Sequence, residues 1–383
     1  MGIQTWKNGL PINKNKKLLQ FATKIISNIM QLYNSVDRKV LKENLMAEPF
    51  IRKTISLYRY FILSNPQDFR NLLYQEWSEL NCFGRIYVAR EGINAQMSVP
   101  ENNLEAFIKS LDKHPIFENI PIKYAIEDNG KSFYKLSIKV REKLVADGLD
   151  DDAFDVTNVG RHLNAREFHE LVGSGNHIVV DVRNHYESEI GHFKGAICPE
   201  ADTFREEISM ITELLKDKKE SKLLLYCTGG IRCEKASAYL KHHGFKDVNQ
   251  LHGGILEYAR TIKQLNLESN FTGKNFVFDE RMGESVDGRV ISHCHQCGAP
   301  CDVHLNCHNE LCHLLFIQCE ACADKFEHCC STECKDLKNS SETEKMRYRP
   351  NMTPKFGNRS VYRKSFRLAK NTNFADSNSE SGK

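Results

Sequence analysis

Apolar and polar positions change period several times along the chain, and each change marks an element. Strand-like patterning over 54–63 gives way to helical periodicity over 67–80. A strand, turn and strand follow over 84–99, with the bend at Glu91-Gly92. A helix over 101–111 and strands over 122–126 and 133–140 complete a β-α-β-β-α-β order. That order predicts a ferredoxin-like domain over 51–142, a fold that hosts many functions, RNA binding among them. Residues 143–157, acidic at Asp150-Asp151-Asp152, read as a linker. From 158 to 268 strand, helix and turn signals alternate, as a parallel α/β sheet requires.

The two ends behave differently. Residues 1–50 read as a helical extension with an amphipathic stretch near 16–33. Lys24 and Asn28 interrupt its apolar positions and no small-residue cleavage pattern follows, which argues against a secretory signal. No uninterrupted apolar run reaches about 18 residues, so no membrane span is predicted. Beyond 335 the composition turns to Ser, Asn and Lys, and 336–383 reads as a disordered basic tail.

Composition sharpens two points. The 383 residues are 40% hydrophobic, enough for two or three ordinary domain cores. The net charge is only +3, but Lys335 to Lys370 holds 11 Lys and Arg against 3 Asp and Glu. Ten of the 14 cysteines fall within 294–334. Crowding of that kind in a large chain points to a metal site or redox chemistry rather than a disulfide scaffold, and to the cytoplasm.

The segment with the sharpest chemistry is Leu223-Leu224-Leu225-Tyr226-Cys227, followed by Thr228, Gly229, Gly230, Ile231, Arg232 and Cys233. An apolar strand there delivers a thiol to a glycine-rich turn at a helix N-terminus. Inward-facing amides, the helix dipole and Arg232 all favour a thiolate on Cys227. Cys233 is a candidate resolving thiol for an oxidised or sulfur-loaded Cys227, or simply a packed helix residue. The C-x-x-G-x-R spacing resembles the active-site loop of rhodaneses. Ile178 to Arg183, Glu187 with Gly191-His192-Phe193-Lys194-Gly195-Ala196, and Val248 to Ile255 resemble other segments of that family. Asp181, Arg183 and Glu187 are candidates to orient the loop, although Asp181 reads more naturally as a turn cap.

In the cysteine-rich region, assigned to 269–335, Cys294-x2-Cys297 and Cys319-x2-Cys322 are paired thiolates at zinc-site separation. Cys307, Cys312, Cys330 and Cys334 complete a set of eight that can hold two structural zinc ions. Nearby histidines could substitute; an iron–sulfur centre or free thiols are the alternatives. His308-Asn309-Glu310 has the spacing that opens an iron facial triad, but its setting among cysteines argues against that role.

A wider set of motifs extends the resemblance. Phe83 to Gln96, Val145-Ala146-Asp147-Gly148, Asn184-His185-Tyr186-Glu187, Asp202 to Glu206, Asn275 to Met282 and the cysteine cluster occur in order. Together they resemble the bacterial rhodanese-like tRNA uridine hydroxylase family across roughly 45–335. The resemblance implies an oxidoreductase that installs 5-hydroxyuridine at the wobble position of tRNA, with molecular oxygen as co-substrate. It names neither the reductant nor the oligomeric state. The residues themselves argue for thiolate chemistry, not oxygen chemistry: no nucleotide-binding G-x-G-x-x-G follows a strand. RNA contact is expected from Arg85, Arg90, Arg141 and Lys143, and from tail pairs such as Arg347-Tyr348 and Tyr362-Arg363. Two other readings stand beside this one: a persulfide sulfurtransferase serving tRNA thiolation, and a non-catalytic RNA-binding protein.

Overall fold

A computed structural model of the chain describes residues 32–150 and 153–352, with side chains to residue 347. The candidate helix near 16–33 and the basic tail beyond 352 lie essentially outside the described residues. The chain forms two compact units. One holds residues to Lys53, Arg59–Ile120 and Phe133–Leu144; the other holds Thr54–Tyr58, Pro121–Ser132 and everything from Val145.

Helix α1 (Arg38–Ala47) begins at Asp37, whose carboxylate accepts the Lys39 amide. Strand β1 (Arg52–Tyr60), helix α2 (Pro66–Glu79), β2 (Phe83–Ala89), β3 (Gly92–Pro100), α3 (Leu104–Asp112), β4 (Lys123–Tyr124) and β5 (Leu136–Val140) follow. The sheet order is β4-β1-β3-β2-β5. Its first four strands are the ferredoxin-like arrangement expected from the β-α-β-β-α-β pattern. The fifth extends it, pairing parallel with β2 from Gly84–Leu136 to Val88–Val140. Asn65 caps α2 through the Asp68 amide, and Pro66 occupies the first turn, where its missing N–H leaves no intrahelical bond unmade.

The second unit contains a parallel sheet, β6-β10-β9-β7, built from β6 (Arg161–Leu163), β7 (Ile178–Asp181), β9 (Lys222–Tyr226) and β10 (Asp247–Leu251). Both faces are covered, which explains the unbroken apolar run of β9. Leu223, Leu225 and Cys227 enter one core with Val180, Val182, Ile208 and Leu240. Leu224 and Tyr226 enter the other with Phe168, Phe193, Leu251 and Tyr258. Helices α4 (Ala165–Ser174), α5 (His185–Ser188), α6 (Phe204–Leu214), α7 (Ile231–His242) and α8 (Gly254–Gln264) connect the strands. Strand β8 (Gly191–Phe193) pairs antiparallel with β11 (Phe271–Asn275), which also pairs with β12 (Glu284–Ser285).

The cysteine-rich segment carries the hairpin β13 (His304–Asn306) and β14 (Leu315–Ile317) and the short helix α9 (Glu320–Phe326). Composition predicts disorder from 336, but α10 (Thr332–Asn339) runs past that point and α11 (Glu342–Met352) follows it. The cause is local. Ser341 and Glu344 form reciprocal side-chain to backbone bonds that satisfy the first amides of α11.

Candidate active site

Cys227 follows the last residue of β9, and α7 begins four residues later. The turn between them closes at Gly230, whose φ of +100° is open to glycine and strained for other residues. Its amide donates to Cys227 Sγ at 3.1 Å. From the other side the amides of Ile255 and Leu256, at the start of α8, donate to the carbonyls of Cys227 and Thr228. A Cβ on Gly254 would stand 2.5 Å from the Cys227 carbonyl oxygen, so glycine is required for this approach. The loop that carries the thiol is thus held between two helix N-termini.

Cys227 is fully buried. Burial alone pushes its thiol up, but a hydrogen bond from Cys233, the Arg232 charge and the amides of Gly230 and Arg232 outweigh it and bring it down to about 6. Cys233, six residues on in the first turn of α7 and equally buried, moves the opposite way, well above the ordinary thiol value, because burial and its bond to Cys227 both favour the protonated form. The two sulfurs therefore act as acceptor and donor. Cys227 and Cys233 pack in one buried cluster.

The charge of Arg232 favours the Cys227 thiolate, while its side-chain hydrogen bonds go to a carboxylate. Its guanidinium is bidentate to Glu187, Nη1 to Oε1 at 2.6 Å and Nη2 to Oε2 at 2.8 Å, with Glu187 completely buried. Thr228 Oγ1 also reaches Glu187 Oε2, at 3.4 Å. Arg232 thus lends Cys227 its field while its fork is committed to a carboxylate. Gly229 and Ile231 contribute backbone to the turn. Asp181 and Arg183 form a second buried bidentate pair; Arg183 also donates to the Gly191 carbonyl, and Tyr226 Oη donates to Asp181. Their bonds brace the sheet beneath the loop rather than the loop itself. Beside both pairs lies Glu207, buried with neither carboxylate oxygen hydrogen-bonded. Burial, with the nearby Asp181, raises its pKa well above the usual carboxylate value.

Three residues at the site carry no sequence signal. Tyr58, in β1, stands with its hydroxyl 2.8 Å from where a Gly230 Cβ would be, and donates to Glu234 Oε1 at 3.2 Å. Glu234, in the first turn of α7, also accepts from Gln250 and bonds His162. Lys123, in β4, lies with Nζ 4.1 Å from the centroid of the Tyr58 ring.

The eight cysteines chosen as metal ligands separate into two groups. Cys294, Cys297, Cys319 and Cys322 form one, and Cys307, Cys312, Cys330 and Cys334 the other; within each, all four Sγ atoms lie within 4.8 Å of one another. Individual separations are 3.5 Å for Cys297–Cys319, 3.7 Å for Cys312–Cys330 and 3.5 Å for Cys330–Cys334. Four thiolates bound tetrahedrally at about 2.3 Å from zinc are about 3.8 Å apart, so both sets fit the ion. Cys301 and Cys329 fall outside the sets, as do the neighbouring histidines: His295 bonds Glu189 and His308 stacks on His328. Neither His308 nor Glu310 belongs to a group of ligands among the described residues.

Of the residues expected at RNA, Arg85 and Arg90 are exposed on β2 and at the β2–β3 turn, and Arg141 lies over the Tyr87 ring at 5.3 Å. Lys143 is half-buried just beyond β5. No helix among the described residues is long and apolar enough to cross a membrane.

Comparison with known proteins agrees with this architecture. Residues 52–144 match the UPF0176 acylphosphatase like domain, 164–261 the Rhodanese-like domain and 272–335 the Rhodanase C-terminal family. A tRNA uridine(34) hydroxylase of Leptospira interrogans is 59% identical over 306 residues, covering 80% of this chain and 83% of that one. Proteins of the same name from Hamiltonella defensa and Photorhabdus laumondii are each 52% identical, covering 82% of this chain and 90% and 89% of their own. At these identities, over nearly the full length of each relative, the chain belongs to the tRNA uridine(34) hydroxylase family.

Proposed function

We propose that this protein hydroxylates C5 of the wobble uridine in tRNA, using Cys227 as a nucleophile and molecular oxygen as co-substrate. The observation that carries the reading is a thiol brought down to about 6 in a loop held between two helix N-termini, in a chain 59% identical to a tRNA uridine(34) hydroxylase. Uracil C5 becomes electron-rich only when its conjugation with C6 is broken. Addition of the Cys227 thiolate to C6 does this: the C5–C6 π electrons move into an enolate with carbanion character at C5. One oxygen atom then bonds to C5, the other leaves as water with two electrons and two protons from an external reductant, and loss of the C5 proton breaks the S–C6 bond and returns Cys227 as thiolate. Cys233 returns a hydrogen bond to Cys227 whenever the sulfur is released as thiolate. A wobble base lies in a single-stranded loop and can leave its stack at small cost, so it can be delivered to a recessed thiol. Arg85, Arg90, Arg141, Lys143 and the basic tail would meet the anticodon arm. Two zinc ions held by the cysteine sets would cross-link a short segment and take no part in the reaction. A protein acting on tRNA in this way works in the cytoplasm.

The test is nucleoside mass spectrometry of tRNA from cells lacking the gene, complemented with wild type or Cys227→Ala and grown with ¹⁸O₂. Labelled 5-hydroxyuridine derivatives restored by wild type alone are expected. Their persistence in cells with Cys227→Ala alone would refute the thiolate role. Loss of a thiolated nucleoside instead would favour the second reading, a persulfide sulfurtransferase, to which the C-x-x-G-x-R loop is equally suited.

A further inference from the structure

The loop motif supplies one cation, Arg232, and Glu187 occupies its fork. A substrate that gains negative charge above Cys227 therefore finds no uncommitted guanidinium there. Lys123 is placed to meet that need. It is 6% exposed, and no carboxylate closes an ion pair with it among the described residues. Its Cε lies 3.7 Å from where a Gly253 Cβ would be, while its neighbour Tyr58 overlies Gly230. Gly230 and Gly253 belong to the two turns that frame Cys227, and each would be blocked by any side chain of its own. The Cys227 charge acts on Lys123, which puts the ammonium in the neighbourhood of Sγ. Burial pushes Lys123 down to about 8, against the pull of Cys227, Glu234 and Glu257, so it is charged at neutral pH yet holds its proton loosely. Tyr58 and His252 are the other titratable groups around it.

We propose that Lys123 is a further catalytic residue, its ammonium donating a hydrogen bond to the uracil O4 that takes up charge when Cys227 Sγ bonds to C6. The proposal rests on the thiolate-addition reading above. In this step the S–C6 bond forms, the C5–C6 π bond breaks, and the electron pair passes through C4 to O4, where the Lys123 N–H neutralises it. No oxidant or reductant takes part, and collapse of the enolate returns the electrons. A donor at this position also selects the base. Uracil offers an acceptor at position 4, whereas cytosine offers an amino group, which would face the ammonium donor to donor.

A full-length tRNA transcript made with 5-fluorouridine isolates the addition step, because the C6 adduct can be followed as a covalent protein–RNA band. Wild type is expected to form the band and Cys227→Ala none. Lys123→Met is expected to form it roughly 10²–10³-fold more slowly, the loss seen when one oxyanion donor is removed, with tRNA binding in filter assays unchanged. Lys123→Arg should recover part of the rate. Adduct formation by Lys123→Met at the wild-type rate would overturn the role of Lys123 and leave the thiolate mechanism standing. No adduct with wild type that still hydroxylates tRNA in cells would overturn both. If Lys123→Met does not fold, Lys123→Leu, which also lacks a donor, is read by the same criteria.

Discussion

Replacing Cys233 with alanine should move the ionisation of a different residue, Cys227. A hydrogen bond from Cys233, the Arg232 charge and the Gly230 amide, which lies 3.1 Å from the sulfur, bring the Cys227 thiol down to about 6 against burial. A hydrogen bond to a charged acceptor contributes about 1.5–3 kcal/mol. At about 1.4 kcal/mol per pKa unit, removing the Cys233 donor lifts Cys227 by roughly one to two units. A thiol with its midpoint at about 6 is roughly 90% thiolate at pH 7; one at about 8 is roughly 10%. The assay is the pH dependence of iodoacetamide alkylation of the Cys227 peptide, read by mass spectrometry so that the other cysteines do not contribute. The wild-type midpoint is expected at about 6. Cys233→Ala should move it towards neutrality or above, and Cys233→Ser, which keeps a donor, should move it less. A wild-type midpoint that survives Cys233→Ala would refute the reasoning, as would equal shifts for both variants. The same depression has a sign in stability. Because the folded thiol ionises below the unfolded value near 9, its ionisation favours the folded state fully above about 9 and not at all below about 6.

Glu187→Ala should destabilise the protein by about 3–5 kcal/mol, since it leaves the Arg232 guanidinium buried without its carboxylate; urea denaturation measures this, and Glu187→Ala with Arg232→Met should recover part of the loss. A double variant no more stable than the single one would show that the pair is not the source. Metal analysis of the purified protein should give two zinc ions per chain, falling to one in Cys307→Ala, whose residue belongs to a single set; unchanged stoichiometry, or the visible absorption of an iron–sulfur centre, would contradict the zinc assignment.

What was legible in the sequence follows from how local each feature is. The loop from Cys227 to Cys233 is contiguous, so its strand, glycine turn and helix start are all visible in one window. The ferredoxin-like strand order follows from element sequence, but the parallel addition of β5 beside β2 does not, because pairing partners far apart leave no local pattern. The eight clustered cysteines stand out by C-x2-C spacing and crowding, while their division into sets depends on the path of the β13–β14 hairpin. Tyr58 and Lys123 reach the site from more than 100 residues before Cys227. A lone tyrosine or lysine in a strand carries no signature, so only the fold shows them. Arg232 is visible in the loop motif, but its engagement with Glu187 depends on where α5 lands.

The order in which the two cysteine sets draw on the chain has a consequence for assembly. Along the sequence the ligands alternate: Cys294 and Cys297 belong to the first set, Cys307 and Cys312 to the second, Cys319 and Cys322 to the first, Cys330 and Cys334 to the second. Each set therefore spans chain that belongs to the other, and the two cross-brace one segment. No cut between Cys312 and Cys319 yields a fragment with four ligands of either set, and during synthesis neither is complete until Cys322 has emerged. This segment must close as a unit, after the thiol loop upstream already has its full sequence in place.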